Sequence, residues 1–293
     1  MATDVEWRVL TAGAALASHR LIGWIFWDPV GVANYAALGV PDGMGYYVAT
    51  RGHSLGDAGN GAVTAAFGSI HQDFVAMALD LCRAHTDFES TALARDAAVV
   101  AGLHEFVPEI CEPLAAMADE FWAAADALDP AGRALFASLR DRTRPDDRLL
   151  SAWLGVNCIR EWRGDTHWAM VIADGLSTTA AGILDGAWRN YADDWLPRSR
   201  GADDTLLDSA VAELDERGFV TDGRVNAAGI AHRHDLEDRL DDLCSDAWRH
   251  LGRARTTEFV ELMDDAGLTL LARIDETAGP NWMPAARDRV PPS

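Results

Sequence analysis

The chain has 293 residues, 49% apolar and 24% charged, long enough for two domains or for one large helical assembly around a sizeable core. Against 46 acidic residues stand 25 basic ones, every one an arginine, and the formal net charge of −21 disfavours nucleic acid and anionic lipid as partners. No run approaches the roughly 18 uninterrupted apolar residues of a membrane span. The four cysteines (Cys82, Cys111, Cys158, Cys244) form no CxxC pair, so the sequence reads as a soluble cytoplasmic protein with reduced thiols.

From the N-terminus onward the apolar spacing is helical almost throughout. It predicts a first helix over about 5–26, stopped at Asp28-Pro29, where Asp28 caps a short second helix with Pro29 in its first position, over about 29–38. The glycine-rich stretch 41–61 reads as an irregular loop with one helical turn near 46–49. Long helices are predicted over about 62–82, 87–106 and 108–128. Another begins at Asp129-Pro130, and one opening at Pro145-Asp146 reaches Trp162. Arg163-Gly164-Asp165 reads as a break before a helix over 166–174. Ser177 caps a helix to about 190, a polar loop with Pro197 and Gly201 follows, and a helix over 203–217 stops at Gly218. Two short strands flank Asp222-Gly223, a strong hairpin-turn signal, before helices over about 227–251 and 256–276.

The fold expected is mainly α, with a helical N-terminal domain (1–145), a winged-helix-like domain (146–276) carrying one short β-hairpin, and a disordered tail (277–293). The segment LDERGFVTDGRVNAAGIAHRHDLEDRL resembles the MarR-type winged helix, with Gly218, Asp222-Gly223 and Ala228-Gly229 at that family's spacing. The resemblance implies that the helix before the hairpin is a recognition helix and the hairpin a wing. The charges oppose that role. From Asp203 to Asp246 there are thirteen acids against four arginines (Arg217, Arg224, Arg233, Arg239), and six of the acids lie on the recognition helix. A helix entering the major groove has to meet phosphates.

Over most of residues 15–250 the chain also resembles a mainly actinobacterial family described only as helix-turn-helix. IFWDPVGVANYAALG, YYVATRGHSLG with AVTAAFGSIHQDFVAMAL, and IREWRGDTHWAMVIADGL carry the likeness. The chain departs from that pattern at Gly31 and Trp162, where the relatives have histidine, and at Thr166, where they have glycine. No reaction comes with the resemblance.

One constellation points to chemistry. Arg160, Glu161, Arg163, Asp165 and His167 fall within eight residues between two apolar stretches, and charges so close to a core must be paired or engaged. One reading is a structural Arg–carboxylate network. The other is the floor of a pocket between the two halves. There Arg160 and Arg163 would hold a polar or anionic ligand end, with His167, Glu161 and Asp165 as the catalytic set if a reaction is run. His71, Arg51 and His53 are expected to face them, with Trp27, Tyr35, Trp162 and Trp168 as walls. No motif names a metal or haem and the cofactor stays unassigned; His71 and His167 are the candidate metal ligands, although His71 also reads as a core histidine. His232 and His234, two apart on a helix, point away from each other. The GxxGxG run at Gly56, Gly59 and Gly61 follows no strand, so a dinucleotide loop is disfavoured.

The expectation is a small-molecule-binding protein, with an enzymatic role in small-molecule metabolism left open. The alternative is a MarR-type ligand-responsive regulator. Its ligand would have a polar or anionic end; neither nucleic acid nor membrane is expected as a partner, and the sequence does not set the oligomeric state.

Overall fold

Helix α1 (Asp4–Gly23) opens on a capping box, in which the Glu6 amide donates to the Thr3 hydroxyl and the Thr3 amide to the Glu6 carboxylate. A 3-10 turn, Trp24–Trp27, carries the chain to Asp28, whose carboxylate caps α2 (Pro29–Ala36) with Pro29 in the first turn, as the sequence indicates. The computed structural model describes residues 3–192 and 194–288, which form helices joined by turns and loops, with one two-stranded hairpin.

The glycine-rich stretch holds α3 (Tyr46–Arg51). The single helix expected over 62–82 is two, α4 (Asn60–Phe67) and α5 (Gln72–His85). The break is at Gly68, with φ +63°, where an added Cβ would lie 2.4 Å from the indole of Trp168. Only a residue without a side chain can turn there beneath a tryptophan. After α6 (Phe88–Phe106), capped by Asp87, the helix expected over 108–128 divides at Met117 into α7 (Pro108–Ala116), with Pro113 in its interior, and α8 (Ala118–Ala127). Next comes α9 (Ala134–Arg140).

The break expected at Gly164 is absent. Helix α10 (Arg148–Ala173) runs 26 residues without interruption from its Asp147 cap. An interior glycine costs a helix about 1 kcal/mol relative to alanine, too little to end one that is buried on either side. Then follow α11 (Thr178–Trp188), capped by Ser177, the short α12 (Trp195–Arg198), and α13 (Asp204–Glu216), capped by Asp203. Strands β1 (Val220–Thr221) and β2 (Arg224–Val225) pair antiparallel, Val220 opposite Val225. Asp222 and Gly223 both take positive φ between them. Helices α14 (Ala227–Leu251) and α15 (Arg253–Thr277) complete the helical body.

Helix α10 is central, packing on α1, α7, α8, α9 and α14. Helix α1 lies along α14 and α15, so one buried apolar cluster runs across both sides of residue 145. By length and composition residues 4–27 could cross a membrane, but 67% of their most apolar window is buried in the fold. The tail expected to be disordered from 277 is ordered as far as 288. Met283 and Ala286 are buried, the Arg20 Nε donates to the Ala286 carbonyl at 3.0 Å, and Pro284–Ala286 form a 3-10 turn. Met283 fits because Gly23 leaves it room: a Cβ there would fall 2.4 Å from its Cε. Residues 289–293 of that expected tail lie outside the described residues.

Candidate functional site

Because α10 is continuous, its 3.6-residue period sorts the charged cluster onto faces. Arg160, Arg163, Gly164, His167 and Trp168 recur at i, i+3, i+4, i+7 and i+8, so they share one face. That face floors a cavity of about 590 Å³. Its walls come from far along the chain: Tyr47 and Arg51 on α3, Phe67 at the end of α4, Asp185 and Arg189 at the end of α11, Arg233 and Glu237 on α14. Trp195, the turn after α12 (residues 198–201) and residues 282–285 close the rest.

The polar part of the wall is an arginine–carboxylate lattice. Arg51 donates through Nε and Nη2 to the two oxygens of Glu161, at 2.9 and 2.7 Å. Arg160 shares that carboxylate through Nη1 and gives its Nε to His19 Nδ1 at 3.2 Å. The Arg163 Nη2 meets Glu237 and Asp241 at 2.8 and 2.7 Å. Arg233 binds Asp185 and the other oxygen of Glu237, at 2.8 and 2.7 Å. Arg189 reaches Asp185 at 3.1 Å and the Pro284 carbonyl at 2.8 Å. Arg200 donates only to neutral oxygens, Ser69 Oγ and the Leu196 carbonyl. With Arg198, which pairs with Asp194 and Asp204 at the same wall, seven arginines stand with six carboxylates, an excess of one positive charge among the described residues. Two buried donors, Arg163 Nη1 and Arg233 Nη1, have no hydrogen-bond partner among the described residues.

Electrostatics follow from these contacts. Burial works against the Glu161 carboxylate, but Arg51 and Arg160 overcome it and bring its pKa down to about 2. Asp185 is brought to about 2 against the same burial by Arg189 and Arg233. Burial pushes the Arg200 guanidinium down. Burial, with Arg233 adding to it, lowers His167 to about 4. His19 is also lowered, by burial and then by Arg160 and Arg163. Both imidazoles are therefore neutral near pH 7, and the proton of His19 is on Nε2, since its Nδ1 accepts from Arg160. Aromatic rings supply the apolar part. Trp27 stacks on Tyr47 at 5.7 Å and leans on Trp282 at 5.6 Å, and Trp195 meets Trp282 edge-on.

Of the residues singled out in the sequence, Arg51, Trp27, Arg160, Arg163, His167 and Trp168 meet at this cavity. Glu161 stands one position off the cavity face, paired with two arginines and 1% exposed. Asp165 faces away: it accepts from the Phe136 amide at the start of α9, and burial pushes its pKa up to about 6. His53 contacts the Thr50 carbonyl, Arg95 and Arg142, not the cavity. Tyr35 is fully buried against Tyr46, and the Trp162 indole donates to the Asp129 carbonyl. As for metal, His71 spends Nδ1 on capping α5, His167 packs edge-on to Trp168, and no cluster of three or more His, Cys, Asp or Glu among the described residues could hold an ion.

Sequence reasoning missed His19, Tyr47, Asp185, Arg189, Arg200, Glu237 and Trp282, and used Arg233 only as a charge. Asp185 with Arg189, and Arg233 with Glu237, are i,i+4 pairs of opposite sign, a signal that could have marked these helix faces.

No curated protein and no solved structure matches the chain. Residues 12–276 match the model of a helix-turn-helix family, and the chain belongs to that family.

Proposed function

We propose that this protein binds a small organic molecule in the cavity floored by α10. One observation carries the reading: Arg163 and Arg233 are buried, line a cavity of about 590 Å³, and each keeps an Nη1 group without a partner. A buried unpaired donor is costly, and a small turn of either guanidinium toward a ligand acceptor would remove that cost. The volume is that of an ordinary ligand site, and aromatic walls with a few convergent polar groups are the usual lining. A purely structural lattice would be packed to the density of protein interiors and leave no such space.

The reading is binding, with no reaction assigned. Glu161 is held between two arginines and Asp165 faces away, so His167 has neither as a proton partner in the cavity. The family description favours a second reading, a ligand-responsive regulator. In its support, α12 and the turn after it, which lead into α13, line the cavity, so a ligand would touch the segment next to the winged-helix-like part. Against it, α13 exposes Asp208, Asp215 and Glu216, which have no ion-pair partner among the described residues.

A thermal-shift screen of a chemically diverse library tests the first reading, run on the wild type and on Ser69→Trp, which places an indole in the cavity. A compound at about 100 times its Kd stabilises the fold by about 2.7 kcal/mol, a rise of several degrees expected in the wild type and lost in the variant. Absence of any shift, or equal shifts in both proteins, would overturn it. A mobility-shift assay with random duplex DNA at low salt tests the second. Micromolar binding that falls steeply with salt would favour the regulator; no binding is the expected result.

A further inference from the structure

We infer that the ligand is an aromatic dianion: a planar apolar body carrying two negative charges at one end, as in a phosphate monoester or a pair of adjacent carboxylates. This rests on the cavity being a ligand site.

Glu237 sets the geometry of the cavity wall. Its two oxygens hold one guanidinium each, Arg163 at 2.8 Å and Arg233 at 2.7 Å, so a single carboxylate fixes both arginines side by side. Each spends Nη2 on acids and keeps its Nη1 buried and unpartnered. The result is a pair of guanidiniums held side by side at the cavity wall, an arrangement suited to a two-oxygen anionic group. Arg200 adds a third guanidinium, with no carboxylate partner among the described residues. Among the described residues the arginines of the cavity wall exceed their acid partners by one, in a chain whose net charge is −21. A local excess of that sign in so acidic a protein makes a cation the wrong occupant. A neutral oxygen can accept from one donor but leaves the excess charge unbalanced, whereas a dianionic end offers several charged oxygens to Arg163, Arg233 and Arg200 together.

The rest of the cavity excludes a bare inorganic anion. Trp27, Tyr47, Trp195 and Trp282 form a continuous aromatic wall, and a few oxygens cannot cover it or fill about 590 Å³. A flat ring stacked on that wall, with its charged end toward Arg163 and Arg233, satisfies both parts.

Isothermal titration of the full chain at pH 7.5 tests this with one ring and varied charge: 1-naphthyl phosphate, naphthalene-1,8-dicarboxylate, 1-naphthoate, 1-naphthol and 1-naphthylmethylamine, with inorganic phosphate alone. At least one dianion is expected to bind ten times or more tighter than 1-naphthoate and a hundred times or more tighter than 1-naphthol. Which of the two dianions leads separates a phosphate from a dicarboxylate ligand. The amine and inorganic phosphate are expected to show no heat at millimolar concentration. Arg200→Met should weaken the dianion tenfold or more and leave 1-naphthol unchanged; if that variant does not fold, the wild-type ranking decides. Equal or tighter binding of 1-naphthol or the amine overturns the inference and leaves ligand binding standing. Silence from the whole series, while uncharged or cationic library compounds stabilise the wild type but not Ser69→Trp, overturns it too. Silence from the library as well removes both.

Discussion

His167 lines the cavity, packs edge-on to Trp168 and has no hydrogen bond to the described residues. Its imidazole, at about 4, lies below an unfolded value of 6.5. Between those values the unfolded chain binds the extra proton, so this group's contribution to stability is lost as pH falls from 6.5 toward 4. Asp165 works in the opposite direction: at about 6 against 3.8 unfolded, it favours the fold as pH falls through that window. His167→Gln is therefore expected to change stability at pH 7 by less than about 1 kcal/mol. Between pH 6.5 and 4, however, its melting temperature should fall less than that of the wild type, by an amount corresponding to at most about 3 kcal/mol. Circular-dichroism melts across that range decide; parallel curves would mean that the folded protein protonates His167 as readily as the unfolded chain does. At this scale the sequence reveals the charged residues but not their company. Arg163 finds Glu237 and Asp241 on a helix far along the chain, and only packing brings those groups together.

Caps are short-range chemistry, which is why the starts at Thr3, Asp28, Asp87, Asp147, Ser177 and Asp203 are where helix ends can be read directly from sequence. The prediction failed where a long-range contact decides the path. Gly68 ends α4 because the Trp168 ring occupies the place of a side chain, whereas Gly164, an equally plain glycine, sits inside α10. The two should respond differently to a methyl group. Gly68→Ala combines φ +63° with a contact of 2.4 Å and is expected to cost at least about 2 kcal/mol. At Gly164 a Cβ would lie 3.3 Å from Glu161 Oε2, and the gain in helix propensity, about 1 kcal/mol, offsets much of the crowding. Gly164→Ala should therefore stay within about 1 kcal/mol of the wild type. Urea unfolding of both variants makes the comparison, and the reverse order would contradict the assigned break and the assigned continuity together.

At the scale of the whole molecule, the two ends of the described chain meet at the cavity. Trp27 and Trp282 are in ring contact, Met283 fills the space beside Gly23, and Arg20 and Arg189 donate to the carbonyls of Ala286 and Pro284. The sequence reads this stretch as a tail because Pro280, Pro284 and the arginines resemble a linker; Trp282 and Met283 are the apolar anchors that the composition hides. The local signal is weak because their partners are more than 250 residues away, on α1 and the turn after it. Removal of residues 279–293 therefore takes out part of one cavity wall while leaving every α-helix in place. Fully burying a methionine-sized side chain contributes about 1.5–3 kcal/mol, and two guanidiniums lose carbonyl acceptors as well. The truncated chain is expected to keep its helical circular dichroism and to melt several degrees lower. Trp27 and Trp195, stripped of the Trp282 ring, should shift the tryptophan emission to longer wavelength. A truncated protein with the melting temperature and emission of the full chain would show that the segment only rests on the surface, and that the cavity is closed without it.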